Sequence, residues 1–247
     1  MISSKIEINP KYDSFSSFIR SIPGIFDNEG ELLYDERNKV RRFQKGDMQL
    51  VVKRYKKPLP FQRIDYTFFR ASKARRAYQY ALHLEQLQIN TPEAVAYIEI
   101  KENGLFSTGY FVSSNCSDQD TRVLRQDNFN KSLADALSGF LAFMHQKGFL
   151  HGDLNLSNIL FHINEDGRYQ FSVIDTNRSK FKNKPSQEEC LDNLKRLSHQ
   201  RELLTYLIKR YAEIRHWDSE YCVSFVLDRL HKFERKRKII RLLKGKK

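Results

Sequence analysis

The stretch Phe149-Leu-His-Gly-Asp-Leu-Asn-Leu-Ser-Asn-Ile-Leu-Phe161 decides how the rest of this chain reads. A carboxylate at Asp153 and an amide at Asn158 stand five residues apart on a loop. Upstream, Leu133, Leu137, Phe140, Leu141 and Met144 recur at helical spacing on one face. Gly148 is placed to stop that helix. Downstream, Ile159 to Ile163 and Tyr169 to Ile174 flank Asp166-Gly167, a dipeptide favoured in tight hairpin turns. An antiparallel hairpin brings its two ends side by side. Asn158, just before the first strand, and Asp175, just after the second, are therefore expected to converge although 17 residues separate them. One carboxylate to orient a hydroxyl and take its proton, and two hard oxygen ligands for a magnesium ion on phosphates, are what phosphoryl transfer requires.

Outward from this segment the two halves differ. The first hundred or so residues read as strands with one helix. Glu31 to Tyr34 and Val40 to Phe43 form a strand pair around the polar turn Asp35-Glu-Arg-Asn38, and Met48 to Tyr55 is a further strand. Pro58 and Pro60 break that pattern. Ser72 to Leu87 reads as a helix capped by Ser72 and ended by Thr91-Pro92. Val95 to Ile100 and Leu105 to Val112 make a hairpin around Asn103-Gly104. The second half is helical, with Leu191, Leu194, Leu197, Leu203 and Leu207 among its apolar positions. The expected architecture is α+β and bilobal. A strand-rich N-lobe with a nucleotide-binding sheet and one helix occupies residues 1–115, and a helical C-lobe with the catalytic and metal loops occupies 116–247. The boundary falls in the polar stretch between Ser113 and Asp118.

Bulk properties narrow the class. Apolar residues make up 40% of the 247, with 18 Phe and 12 Tyr, enough for packed cores and against wholesale disorder. No apolar run reaches the roughly 18 residues that a membrane-spanning helix needs, and the N-terminus lacks a signal-peptide pattern. Cys116, Cys190 and Cys222 lack metal-ligand spacing and read as reduced thiols of a cytoplasmic protein. The net charge of +13 points to nucleic acid, an anionic membrane surface or a phosphorylated substrate as partner, beside the plainer reading of colloidal solubility.

The order His-x-Asp-x4-Asn, hairpin, apolar-apolar-Asp resembles the catalytic and metal loops of protein-kinase-like enzymes. That resemblance implies ATP and Mg2+, with Asp153 as catalytic base, Asn158 and Asp175 as magnesium ligands, and His151 as brace of the loop. On the strand Val51-x-Lys53 it makes Lys53 the ATP-binding lysine, at the α- and β-phosphates. Two departures stand out. No G-x-G-x-x-G lies between the first strands, only Gly30 and Gly46, so the turn Asp35 to Asn38 is left to cover the phosphates. The glutamate expected opposite Lys53 falls at Ala77, which leaves Glu85 as a candidate beside the plainer reading of an exposed helical glutamate.

The metal segment Val173-Ile-Asp-Thr-Asn-Arg178 is followed by no Ala-Pro-Glu. The room for a peptide-binding activation segment is small, which argues for a small or lipid-linked hydroxyl acceptor. Leu50-Val-Val-Lys-Arg-Tyr-Lys-Lys-Pro58, Ser72-Lys-Ala-Arg-Arg76, Ile89-Asn-Thr-Pro92, Ile-Asp-x-x-Arg178 and Asn193-Leu-x-Arg-Leu197 together resemble the lipopolysaccharide kinase family, Kdo/WaaP type, over roughly Glu31 to Leu207. That implies phosphorylation of a Kdo or heptose sugar on a lipid-linked core oligosaccharide, at the cytoplasmic side of the inner membrane. The loop also resembles a small atypical protein kinase and ATPase of a tRNA-modifying complex, which would make nucleic acid a partner. The two departures also suit a nucleotide-binding pseudokinase. The stretch from Lys232 to Lys247 carries nine bases and one acid, Glu234. It reads either as a helix docking on an anionic inner-membrane surface, with Phe233, Ile240 and Leu243 on one edge, or as a solvated terminus.

Overall fold

The computed structural model describes residues 1–243. The chain forms two compact units, one of Met1–Ser117 with Asp175–Arg178, the other of Asp118–Ile174 with the chain from Ser179 onward. The α+β class, strand-rich at the N-terminal side and helix-rich at the C-terminal side, is the one expected.

The first unit contains β1 (Ile2–Ile8), α1 (Ser16–Ile25), β2 (Glu31–Asp35), β3 (Lys39–Lys45), β4 (Met48–Arg54), α2 (Pro60–Phe68), α3 (Lys73–Gln86), β5 (Ala94–Glu102) and β6 (Leu105–Ser114). Its six strands form an antiparallel sheet in the order β1-β5-β6-β4-β3-β2. Successive strand residues face opposite ways. Ile98 of β5 therefore joins Leu50, Val52 and Val112 beneath Ile19 and Ile22 of α1 and the Phe26 that follows it, while the adjacent Tyr97 joins Ala74, Ala77, Tyr78 and Ala81 of α3. The Ser72 side chain caps α3 by accepting from the N–H of Arg75.

This unit holds three α-helices where the sequence reading has one. In α1, Pro23 lies inside the helix; complete burial of Ile19, Ile22 and Phe26 offsets the backbone bond that proline forfeits. In α2, Pro60 opens a helix rather than breaking a strand. It occupies the first helical position, where the missing N–H would have had no helical partner. The strand β1 was likewise not foreseen; it adds to the sheet along β5 from Ile2↔Glu102 to Ile8↔Ala96.

The second unit contains β7 (Gln119–Asp120), α4 (Lys131–Gln146), β8 (Phe149–Leu150), β9 (Ile159–Ile163), β10 (Tyr169–Val173), β11 (Lys180–Phe181), α5 (Gln187–Leu194), α6 (Arg201–Arg215) and α7 (Ser219–Leu243). The core lies where α4 packs on α6 and α6 on α7, with Leu133, Leu137, Leu141, Leu203, Leu204, Leu207 and Val226 buried. Gly148 ends α4 with φ +79°, a left-handed conformation that glycine adopts without a side-chain clash. A Cβ there would also run into the carbonyl of Lys182. The β9–β10 hairpin pairs Ile159 with Val173 and turns at Gly167.

The C-terminal stretch is helical as far as Leu243. Phe233 is not on a free edge, because the Arg196 guanidinium stacks over its ring. The Glu234 carboxylate accepts a hydrogen bond from Nδ1 of His199 at 2.8 Å. Ile239, Ile240, Leu242 and Leu243 are exposed, and Lys244 to Lys247 lie outside the described residues. No helix among the described residues is long and apolar enough to cross a membrane, and the three cysteines are free.

Candidate active site

The catalytic-loop candidate is held from beneath by a histidine. His151 is fully buried. Its Nε2–H donates to the carbonyl of Ile174 at 2.9 Å, and its Nδ1 accepts the N–H of Asp153 at 3.0 Å. One neutral tautomer satisfies both bonds and ties the loop to the strand end that precedes Asp175. The carbonyl of Asp153 accepts from Nδ2 of Asn155 and Nδ2 of Asn158, each at 2.9 Å. The Asn158 carbonyl in turn accepts the N–H of Ile174 at 3.0 Å. The backbones at 158 and 174 therefore meet, as the hairpin register requires.

A second layer was not legible as such. Asn193 of α5 donates from Nδ2 to the carbonyl of His151 at 2.7 Å. Its Oδ1 lies 3.1 Å from Nε2 of His145, whose Nδ1 lies 2.8 Å from the Tyr211 hydroxyl. Burial pushes the His145 pKa down to about 4, so it stays neutral and can donate at one nitrogen and accept at the other. The same burial pushes the Tyr211 hydroxyl far above its usual range. Arg196, two residues past the end of α5, pairs with Asp153 at 2.7 Å and stacks on Phe233. Asn193 and Arg196 belonged to a quoted motif, but no spacing rule linked them to the loop.

In the first unit, Lys53 on β4 and Asp175 form an ion pair of 2.8 Å across 122 residues of chain, both side chains partly buried. The carboxylate of Asp175 also accepts from Asn177 Nδ2 at 2.6 Å. Asp175 has φ +59°, a left-handed conformation uncommon outside glycine, and such outliers gather at functional sites. Glu85 is not the partner of Lys53. It is exposed, and its charge acts on Lys11 and Tyr12. The position equivalent by spacing, Ala77, is buried against α3's apolar neighbours.

Positive charge crowds this unit near Asp175. Burial lowers the pKa of Lys73, and the charges of Arg37, Arg178 and Arg76 lower it further, with Asp175 opposing them. Arg76 is buried, its pKa is lowered by desolvation, and its Nε has no hydrogen-bond partner among the described residues. The same holds for Asn177 Oδ1. Tyr55 is buried alongside, and its hydroxyl is pushed well above its usual range by burial and then by Asp175. Arg37 lies on the turn between β2 and β3, the one left to cover phosphates. Its charge reaches Lys73, and that of Asp175 reaches Tyr34 on the same hairpin.

Each unit, taken by itself, carries one oxygen donor of the kind that magnesium takes. Asn158 spends its Nδ2 on Asp153, which leaves the amide oxygen as its donor, and Asp175 offers a carboxylate. Magnesium is held by one or two protein oxygens together with substrate phosphates and water, so a closed cage is not needed. Among the described residues no group of three His, Cys, Asp or Glu could hold a metal.

The family model described as the lipopolysaccharide kinase (Kdo/WaaP) family matches residues 34–214. No curated protein matches the chain. Among solved structures, WaaP in complex with acyl carrier protein is similar at TM-score 0.63 and 16% identity, over 95% of this chain and 98% of that one. Aminoglycoside-3'-phosphotransferase of type VIII is similar at TM-score 0.55 and 13% identity, over 88% of this chain and 99% of that one. At these identities the likeness concerns the protein-kinase-like fold.

Proposed function

The chain belongs to the lipopolysaccharide kinase (Kdo/WaaP) family, and from that premise we propose that it transfers the γ-phosphate of ATP to a hydroxyl of a Kdo or heptose sugar of the lipopolysaccharide inner core. The acceptor is a lipid-linked core oligosaccharide, and the enzyme works peripherally at the cytoplasmic face of the inner membrane. The observation that carries the kinase chemistry is the Lys53–Asp175 ion pair within a field of cations. A polyphosphate has the charge to relieve that field. The choice of sugar rests on the family.

Asp153 orients the acceptor hydroxyl and takes its proton as the hydroxyl oxygen bonds to the γ-phosphorus and the bond to the β-phosphate bridge oxygen breaks. His151 holds the Asp153 backbone, and Arg196 restrains its carboxylate. Lys53 contacts the α- and β-phosphates, and Arg37, Lys73 and Arg178 add to the positive field around them. Asn158 and Asp175 would hold magnesium, which when bound neutralises charge on the phosphate oxygens.

The test is phosphate transfer from ATP to a delipidated inner-core oligosaccharide in solution, read by mass spectrometry. A gain of one phosphate on Kdo or heptose is expected. ATP binding without transfer to any sugar would indicate a pseudokinase, and ATPase activity that requires RNA would indicate the tRNA-complex reading. Either result overturns the proposal.

A further inference from the structure

The helix α2 is docked the wrong way round for a soluble amphipathic helix. Its Arg63 and Thr67 point at the protein. The Arg63 guanidinium donates to the carbonyls of Phe106 and Glu102, at 2.8 and 3.2 Å. The Thr67 hydroxyl donates to the Arg63 carbonyl and accepts the N–H of Phe106. Gln62 accepts the N–H of Leu59. Tyr66 packs edge-on against Phe106. The opposite side carries Phe61, Ile64 and Phe68, spaced to share one face, and they are 66%, 48% and 68% exposed. Leu59 and Phe69 extend that apolar surface at the two ends and are exposed as well.

A face of five large apolar side chains in contact with water is costly, at roughly 25 cal/mol for each Å² that could be buried, so it implies an occupant. Two features say which. First, Arg63 and Thr67 spend their directional bonds inward and Gln62 caps the helix's own first turn, whereas a protein–protein interface carries about one hydrogen bond per 100–200 Å². Second, exposed cations border the helix, with Lys56 and Lys57 before it and Arg70 after it. Lys57 shares its charge with Glu102 at 3.0 Å, and Asp65, the only carboxylate in the helix, is half-buried on its flank. Apolar side chains between bases are how a short helix seats at the boundary of acyl chains and anionic headgroups.

We propose that the Phe61–Ile64–Phe68 face of α2, with Leu59 and Phe69, inserts into an anionic phospholipid bilayer while Lys56, Lys57 and Arg70 meet its phosphates. The inference deepens the reading above, since a kinase acting on a lipid-linked acceptor must work at a bilayer; it rests on that reading for its purpose only.

The experiment is flotation of the full chain with phosphatidylglycerol–phosphatidylethanolamine vesicles and with phosphatidylcholine vesicles, at low and high salt. The triple substitution F61S/I64S/F68S removes side chains that already face solvent and should leave the urea unfolding midpoint nearly unchanged. It should weaken binding to the anionic vesicles by about tenfold or more, because each buried apolar side chain contributes to insertion. A chain truncated after Glu234, which lacks the basic residues from Arg235 onward, should keep the α2-dependent share of binding. F61W provides a readout in an otherwise intact protein: measured against the wild type, whose Trp217 sets the background, its added indole emission should be quenched by lipid brominated on the acyl chains. Wild-type-like flotation of the triple variant overturns the proposal. So does an indole untouched by brominated lipid, including when F61S/I64S/F68S fails to fold. Transfer to the delipidated oligosaccharide should be the same for wild type and triple variant. Failure of the sugar-kinase reading and failure of this one are thereby separate results.

Discussion

The loop around Asp153 and the cluster around Asp175 are both polar and partly buried, yet they are built in opposite ways. Beneath Asp153, His151, Asn193, His145 and Tyr211 form a chain of hydrogen bonds between neutral groups. Near Asp175, Lys73 is depressed by burial and by like charges, while Arg76 Nε and Asn177 Oδ1 are buried with no hydrogen-bond partner among the described residues. The contrast matches the two tasks proposed for them. A group that must meet a hydroxyl at a fixed angle gains from a frame set before substrate arrives. A site for a polyanion gains from repulsion that the anion removes.

The sharpest way to break this comparison is Asp153→Ala. Turnover should fall by about 100- to 10,000-fold, while ATP still raises the melting temperature, because the phosphate-binding groups are untouched. A variant with near wild-type turnover on its sugar acceptor would return Asp153 to an ordinary loop aspartate. Next, Asp175→Asn should raise the magnesium requirement and slow the reaction, and Asn158→Ala should do so more mildly, since a carboxylate attracts the cation more than an amide does. Overlaying magnesium titrations for both variants and wild type would exclude the shared metal role.

A smaller effect is expected at Lys53. Removing a charge-assisted contact to phosphate costs about 1.5–3 kcal/mol, so Lys53→Ala should weaken ATP binding on the order of tenfold to a hundredfold. Lys53→Arg should recover part of it, because a planar guanidinium does not replace a compact ammonium. Complete recovery, measured by calorimetry, would mean diffuse charge suffices there.

The most gradual effect is on stability. The folded pKa of His145, about 4, lies below its ordinary value of 6.5. Unfolding therefore takes up a proton between those pH values, and stability contributed by the neutral, buried ring is complete above 6.5 and lost as pH falls toward 4. Over that window the loss should reach a few kcal/mol. Urea midpoints across the window should fall for wild type and vary less for His145→Gln, which begins from a lower value at neutral pH. Parallel curves would show that other groups carry the acid sensitivity.

Features set by a few neighbouring residues could be read in advance. Ser72 caps a helix through its own hydroxyl, Gly148 ends one with a left-handed φ, and the turn at Gly167 sets the register from Ile159↔Val173. The sequence reading has no α1, and it takes Pro58 and Pro60 as breakers where α2 begins. Burial at Ile19 and Ile22 and the first-position tolerance at Pro60 decided otherwise.

Torsional preference, capping and alternation act over a turn or two of chain, so the amino-acid sequence by itself determined the loop around Asp153, its hairpin and the strand that carries Lys53. Which side chains meet across long stretches was decided by the tertiary structure. That Asp175 rather than Glu85 answers Lys53, that Asn193 and His145 support His151, and that Arg196 lies against Asp153 all depend on distant segments being brought together. The same holds for α2: its residues specify an amphipathic helix, but only docking of Arg63 and Thr67 on the Glu102–Phe106 segment turns its apolar face to the outside. The reason is that loop-closure entropy depends on length but not on partner identity, so packing and charge in the folded state choose the partner.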